Sequence, residues 1–216
     1  MQMTKAADYY AHERVDLLDW VGGSFGRVLD LGCGTGSNAT WYRRHGAHEI
    51  VGVELNEASA SRAATVFDRV VCGTIEEALV DLDGSFDLIV CADVLEHLVD
   101  PWAIVSRLSR LTNPSTVLAV SIPNIRFLGA IARIAVGRGF QYEEQGIFDV
   151  THLRFFTRRD VDRLMRQGGW EAERWGSQLF GRFRSVRLLA RRMTAGRSDQ
   201  WLAEQLFVVA RPVHSG

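Results

Sequence analysis

Three glycines alternate with other residues at Gly32, Gly34 and Gly36, directly after the apolar run Val28-Leu29-Asp30-Leu31. That run is too short for a helix and reads as a buried strand, interrupted near its end by one acid, Asp30. Glycine lets the backbone turn tightly and approach a ligand with no Cβ between them. Ser37-Asn38-Ala39-Thr40-Trp41-Tyr42 then opens a helix, with Ser37 or Asn38 as its cap. A strand, a glycine turn and a helix make a nucleotide-type site at the carboxyl edge of a parallel sheet. The helix start there offers unpaired N–H groups to a negative group. A dinucleotide site needs G-x-G-x-x-G. The spacing here is G-x-G-x-G, with an acid two residues ahead, and it fits a pyrophosphate poorly.

The strand-helix alternation continues. Ile50-Val51-Gly52-Val53 is a second strand ending at Glu54, after a helix over about 38–45. An acid in that place accepts hydrogen bonds from both hydroxyls of a ribose, and it repels a 2′-phosphate. Leu55 then lies beside the base. A helix over 57–67 leads to a third strand, Val70-Val71-Cys72, and Phe86–Cys91 is a fourth. Asp100 caps a helix that begins at Pro101 and runs to about Leu111. Asn113-Pro114-Ser115 turns into a strand over Thr116–Ser121, with Ile122-Pro123-Asn124 at its ligand-side end. Thr157 caps a helix closed by Gly168-Gly169, and two last strands span Trp170–Leu179 and Gln205–Val213. An amphipathic helix over residues 6–21 precedes all of this.

Three motifs identify the chain further. Asp30, Gly32, Gly34 and Gly36 resemble the first motif of the class I S-adenosylmethionine-dependent methyltransferases, an acid followed by G-x-G-x-G. Phe86-Asp87-Leu88-Ile89 and Leu95-Glu96-His97-Leu98-Val99-Asp100-Pro101 resemble a later motif of that family nearly residue for residue. Pro123-Asn124, followed by Gly146-Ile147-Phe148-Asp149-Val150-Thr151-His152-Leu153-Arg154-Phe155-Phe156-Thr157, resembles a subgroup that includes proteins encoded beside surface-polysaccharide enzymes. More distant relatives of that subgroup are accessory proteins of methionine biosynthesis.

The resemblance implies an α/β fold: a Rossmann-like, seven-stranded, mostly parallel sheet flanked by helices, with an antiparallel last strand. The whole chain, 1–216, is then one methyltransferase domain. A lid over 125–156 covers the substrate, since long insertions at a ligand edge are usually covers. A basic insertion over 181–197 separates the last two strands. The implied cofactor is S-adenosylmethionine, with Gly32 and Gly34 close to its methionine part, Asp30 ordering that loop, and Glu54 on the ribose. Leu55 and the segment Thr74-Ile75-Glu76 meet the adenine; Thr74 stands where relatives often have Asp. Asp93 and Val94 border the sulfonium. Tyr9, Tyr10 and Arg14 are candidates to reach across the cofactor mouth, or they pack on the sheet.

For the acceptor, Asn124 and Arg154 are the candidate contacts; an arginine grips an anion at two points. His152 suits a general base because its ordinary pKa is near neutrality. The competing reading is that His152 and Arg154 tie the lid to the core, with Asp149 as partner. His97 has the same two readings, a base or a brace for its loop. The expected acceptor is a hydroxyl on a sugar or other small metabolite, anionic or sugar-linked. A carboxylate or amine acceptor is a second reading. A third is a cofactor-binding accessory partner of another enzyme, without turnover.

Charge and cysteines narrow the remaining classes. Residues 1–120 hold 9 Lys+Arg against 17 Asp+Glu, and residues 121–216 hold 16 against 9. Residues 181–197 contain six arginines and no acid, which suits a solvated loop or peripheral contact with an anionic surface. No nucleic acid partner is expected: the amino-methylating Asn/Asp-Pro-Pro-Tyr motif is absent and the chain's net charge is −1. Cys33, Cys72 and Cys91 form no C-x-x-C pair, so no metal is expected, and reduced thiols point to the cytoplasm. No apolar run reaches membrane-spanning length.

Overall fold

The computed structural model describes residues 14–178, 192–194 and 198–213. Tyr9, Tyr10, residues 6–13 of the 6–21 helix, and residues 181–191 and 195–197 of the basic insertion lie outside the described residues. The strands are β1 (Arg27–Leu31), β2 (Glu49–Glu54), β3 (Arg69–Cys72), β4 (Phe86–Ala92), β5 (Thr112–Pro123), β6 (Trp170–Gln178) and β7 (Gln205–Pro212). They form one sheet in the order β3-β2-β1-β4-β5-β7-β6. The five strands from β3 to β5 pair in parallel, and β7 runs antiparallel to both of its neighbours.

Alternate residues of each strand point to opposite faces, and the sequence uses that period twice. Val28, Ile50, Leu88, Val90, Val117 and Ala119 pack with α1 (Val15–Val21), α2 (Ala39–Arg44) and α3 (Glu57–Ala63), through Leu17, Leu18, Trp41, Tyr42 and Ala63. Leu29, Leu31, Val51, Val53, Ile89, Cys91, Leu118 and Val120 pack with α4 (Ile75–Asp81), α5 (Pro101–Leu108) and α7 (Arg158–Gln167). A sheet buried on both faces needs continuous apolar strands, which is why β1, β2 and β4 carry so few polar residues. Asp30, Gly52 and Glu54 are in phase with Val28 and Ile50 and so face α2 and α3.

Several local expectations change. Asn38 takes the N-cap position of α2 but its side chain caps nothing. It is drawn instead to Asp30 and to the backbone N–H of Arg14. α3 stops at Ala63 and continues to Phe67 as turns. β5 begins at Thr112, but residues 113–116 bulge out between the Phe86–Thr112 and Leu88–Val117 pairs, where Asn113 Oδ1 accepts from Ser115 N–H and Thr116 Oγ1 accepts from Asn113 N–H, so the expected turn lies within the strand. The caps at Asp100 and Thr157 form as expected, each side chain accepting an N–H three residues on.

The segment between β5 and α7 contains α6 (Leu128–Arg133), a π-helical turn Ile134–Arg138, and mostly irregular chain beyond. Its end is pinned where Leu153 N–H and Arg154 N–H both donate to the Glu96 carbonyl, at 2.8 and 3.0 Å. A last helix, α8 (Asp199–Leu202), precedes β7.

Candidate active site

The glycine turn and the second-strand acid meet directly. Gly34 N–H donates to Glu54 Oε2 at 2.9 Å, and Asn56 N–H donates to Glu54 Oε1 at 2.7 Å. Gly32 and Cys33 N–H groups both donate to the Val53 carbonyl, at 2.8 and 3.1 Å. The end of β2 therefore holds the turn after β1 in place. Each Glu54 oxygen keeps a second lone pair for another donor.

The turn requires its glycines for two separate reasons. Gly32, Gly34 and Gly36 all have positive φ, at 70°, 55° and 79°. A Cβ on Gly32 would lie 2.7 Å from Val94 Cγ2, and one on Gly36 would lie 2.7 Å from Val66 Cγ2. A further glycine has the same purpose: a Cβ on Gly52 would lie 2.6 Å from Cys33 Sγ and 2.7 Å from the Phe67 ring. Gly52 leaves room for the turn on the neighbouring strand. The sequence reading passed over it because it sits inside an ordinary apolar run.

Asp30 is almost fully buried below the turn. It accepts from Tyr42 Oη at 2.8 Å and from Asn38 Nδ2 at 3.4 Å. Burial pushes its carboxyl up to about 6; the Tyr42 and Asn38 hydrogen bonds oppose this, and the Glu54 charge adds to it. The same burial raises the Tyr42 hydroxyl well above its ordinary value, and it raises the Cys33 and Cys91 thiols. Tyr42 is legible only as a core aromatic in the sequence, since nothing in it shows a partner twelve residues back.

Where β4 and β5 end and β7 begins, Asp93 adopts φ 56°, the sole positive φ of a non-glycine among the described residues. Backbone in this region costs free energy and persists only where its surroundings hold it. Here Ser121 Oγ donates to Asp93 at 3.1 Å, Gln205 Nε2 donates to it as well, and Arg14 forms an ion pair with it. Arg14 thus lies against the carboxyl end of β4, paired with Asp93. Gln205 carried no signal in the sequence.

The remaining expected contacts separate. Leu55 is exposed beside Glu54. The Thr74 hydroxyl is committed to the start of α4, donating to Glu77 Oε2 and accepting Glu77 N–H; the Ile75 side chain is buried in the core and Glu76 is exposed. Asn124 corrects an expectation: it is completely buried, its Nδ2 donates to the Ala203 and Gln200 carbonyls, and its Oδ1 accepts from Arg126 N–H. It braces β5 against α8 and has no surface to offer an acceptor. Arg154 donates to the Val99 carbonyl and lies over Trp102, 5.8 Å from the ring centroid. Asp149 Oδ1 accepts from the Thr151 N–H and hydroxyl, and the Asp149 carbonyl accepts from His152 N–H at 3.0 Å.

The two histidines come together across 55 residues of chain, with ring centroids 4.8 Å apart. His97 Nδ1 lies 3.1 Å from both the carbonyl and the hydroxyl of Thr151. His152 Nδ1 lies 3.0 Å from the Ile147 carbonyl, and its Nε2 is 4.0 Å from Glu96 Oε1. Glu96 and His152 are buried. The sequence marks Glu96 only as one position of the Leu95–Pro101 motif.

A methyltransferase-domain family model matches residues 3–174. A ubiquinone biosynthesis O-methyltransferase from Hahella chejuensis is 35% identical over 107 residues, covering 45% of this chain and 43% of that protein. One from Aromatoleum aromaticum is 28% identical over 166 residues, covering 71% and 69%. The chain thus spans between 43% and 69% of the length of these two curated relatives. Among solved structures, an S-adenosylmethionine-dependent methyltransferase from Archaeoglobus fulgidus superposes with a TM-score of 0.64 at 17% identity, over 95% of this chain and 94% of that one.

Proposed function

On the premise that the chain belongs to the class I S-adenosylmethionine-dependent methyltransferase family, we propose that it transfers a methyl group to a hydroxyl of a small molecule. The carrying observation is the Gly34–Glu54 contact at 2.9 Å, which joins the glycine turn to a buried carboxylate with lone pairs to spare. Those two groups fit S-adenosylmethionine: Glu54 holds the ribose, Gly32 and Gly34 admit the methionine part, and Asp30 fixes the turn from below. Ile75 and Glu76 lie along the adenine, with Leu55 against its face. Asp93 and Val94 border the sulfonium, and Arg14 exchanges its Asp93 partner for the methionine carboxylate. When bound, the cofactor supplies a methyl group already activated by a positive sulfur.

The chain's own work is then alignment and removal of one proton. The acceptor oxygen forms the new O–C bond, the S–C bond breaks with its electron pair left on sulfur, and the hydroxyl proton leaves. Glu96, His97 and His152 surround the route for that proton, and Arg154 stands at the rim for an anionic acceptor. The acceptor is a hydroxyl on a sugar or other small metabolite; the O-methylating relatives add an intermediate of ubiquinone biosynthesis as a second candidate. Carboxylate or amine methylation and an accessory role without turnover are the competing readings.

The test is turnover of S-adenosylmethionine by the purified chain. Nucleotide sugars, hydroxylated ring compounds, amines and carboxylates are offered separately. Turnover with a hydroxyl panel supports the proposal. Turnover only with amines or carboxylates contradicts the acceptor class, and cofactor binding with no turnover on any panel supports the accessory role.

No helix among the described residues is long and apolar enough to cross a membrane.

A further inference from the structure

We propose that Glu96, His97 and His152 bind one divalent transition-metal cation of the Zn²⁺ class beside the methyl-transfer site. Their candidate ligand atoms all lie within 4.8 Å of one another. A tetrahedral site with bonds of about 2.1 Å needs these atoms roughly 3.4 Å apart, so closing on a cation takes side-chain shifts of about 1 Å.

The tautomers decide what the histidines offer. A carbonyl oxygen only accepts, so His152 Nδ1 must carry the proton that meets the Ile147 carbonyl at 3.0 Å. The same holds for His97 Nδ1 at the Thr151 carbonyl. The Thr151 hydroxyl gives the same answer independently. Its hydrogen is spent on Asp149 Oδ1 at 2.6 Å, so toward His97 Nδ1 it too acts as acceptor. In the neutral form of each ring, Nδ1–H leaves the lone pair on Nε2, and a bound cation takes the place of any proton there. Metal-binding histidines are usually held in this way, with the far N–H on a backbone carbonyl.

The third ligand is a buried carboxylate. Glu96 sits in the short 3-10 turn Leu95–His97, and its carbonyl is the acceptor that anchors Leu153 and Arg154. Two imidazole nitrogens and one carboxylate oxygen suit Zn²⁺, Co²⁺ or Fe²⁺ better than Mg²⁺, which prefers oxygen alone. His97 is the partly exposed member, so the open coordination position faces its side. The sequence expectation of no metal rested on missing cysteine pairs, and these ligands lie 55 residues apart in the chain.

The cation's role rests on the methyl-transfer reading above. There it would accept the acceptor's hydroxyl oxygen and lower its pKa, so that the proton departs to solvent and the oxygen attacks.

The experiment uses the full chain, stripped with a chelator and titrated with Zn²⁺ by calorimetry and with Co²⁺ by visible absorption; Mg²⁺ is the control. One Zn²⁺ equivalent, a Co²⁺ d–d spectrum typical of low coordination number, and no Mg²⁺ heat are expected. Glu96→Gln, His97→Asn and His152→Asn should each weaken Zn²⁺ by more than about tenfold. The two asparagines keep a donor near Nδ1 and so preserve the backbone anchor. S-adenosylmethionine calorimetry on the same samples checks that each variant is folded, and it reports on the methyl-transfer reading separately. Failure of the wild-type chain to bind Zn²⁺ or Co²⁺ overturns the site whether or not the variants fold. Binding that all three variants leave unchanged also overturns it.

Discussion

Between Asp30 and Glu54, one end of the site is built from a single unbroken stretch of chain. Between Asp93 and Gln205, the other end is assembled from β4, the 95–97 turn, the segment around residues 149–154, and β7. At the first end, backbone groups do the fixing: Gly34 to Glu54, and Gly32 and Cys33 to Val53. At the second end, side chains from distant segments do it: Ser121, Gln205 and Arg14 on Asp93, and Thr151 on His97. A site end made of backbone contacts tolerates almost no change in residue type at its glycines. A site end made of side chains can be rewritten for a new acceptor while the fold stays the same.

The comparison breaks first at Gly36. Gly36→Ala places a left-handed alanine with a Cβ 3.1 Å from Ala63 Cα and 2.7 Å from Val66 Cγ2. The strain and the overpacking together should cost about 2–5 kcal/mol, read by chemical denaturation. An effect below about 1 kcal/mol would mean the turn is looser than its contacts imply.

Asp30→Asn is next. The carboxyl rises from 3.8 to about 6 on folding, so its proton is bound more tightly in the folded chain. Both states are protonated below pH 3.8. Stability then falls as pH climbs from about 4 to 6 and is level above that, by about 3 kcal/mol in all. Asn cannot ionise, so Asp30→Asn removes this loss. Its stability relative to wild type should improve by about 3 kcal/mol between pH 4 and pH 7. The improvement disappears if Asp30 is ionised and well solvated.

Asn124→Ala tests the other end. It strips donors from the Ala203 and Gln200 carbonyls and leaves the Arg126 N–H without its acceptor. A cost of about 2 kcal/mol in stability is expected, with the acceptor KM unchanged. A KM effect without a stability loss would return Asn124 to the acceptor site.

The two ends were unequally legible in the sequence for the same reason that they are built differently. Asp30, the three glycines and Glu54 announce themselves because backbone geometry restricts which residues fit, and that restriction is local. The alternation of strands and helices was legible for a similar reason: two-faced burial leaves short apolar runs that no helix would produce. Gly52 was missed because its reason lies on the neighbouring strand, at Cys33. Asn124 was assigned to the acceptor because it follows a strand at the ligand edge, whereas three hydrogen bonds turn it inward. Glu96 and the paired tautomers of His97 and His152 depend on contacts across some 55 residues, which no spacing rule reports.

Calorimetry of S-adenosylmethionine against the wild-type chain and Glu54→Ala tests the central claim most directly. Losing a charged acceptor for the ribose hydroxyls should weaken binding by about 100-fold, at 1.5–3 kcal/mol per charge-assisted hydrogen bond. NAD should bind neither protein. Equal S-adenosylmethionine affinity in the two proteins, or NAD binding to the wild type, would contradict the account.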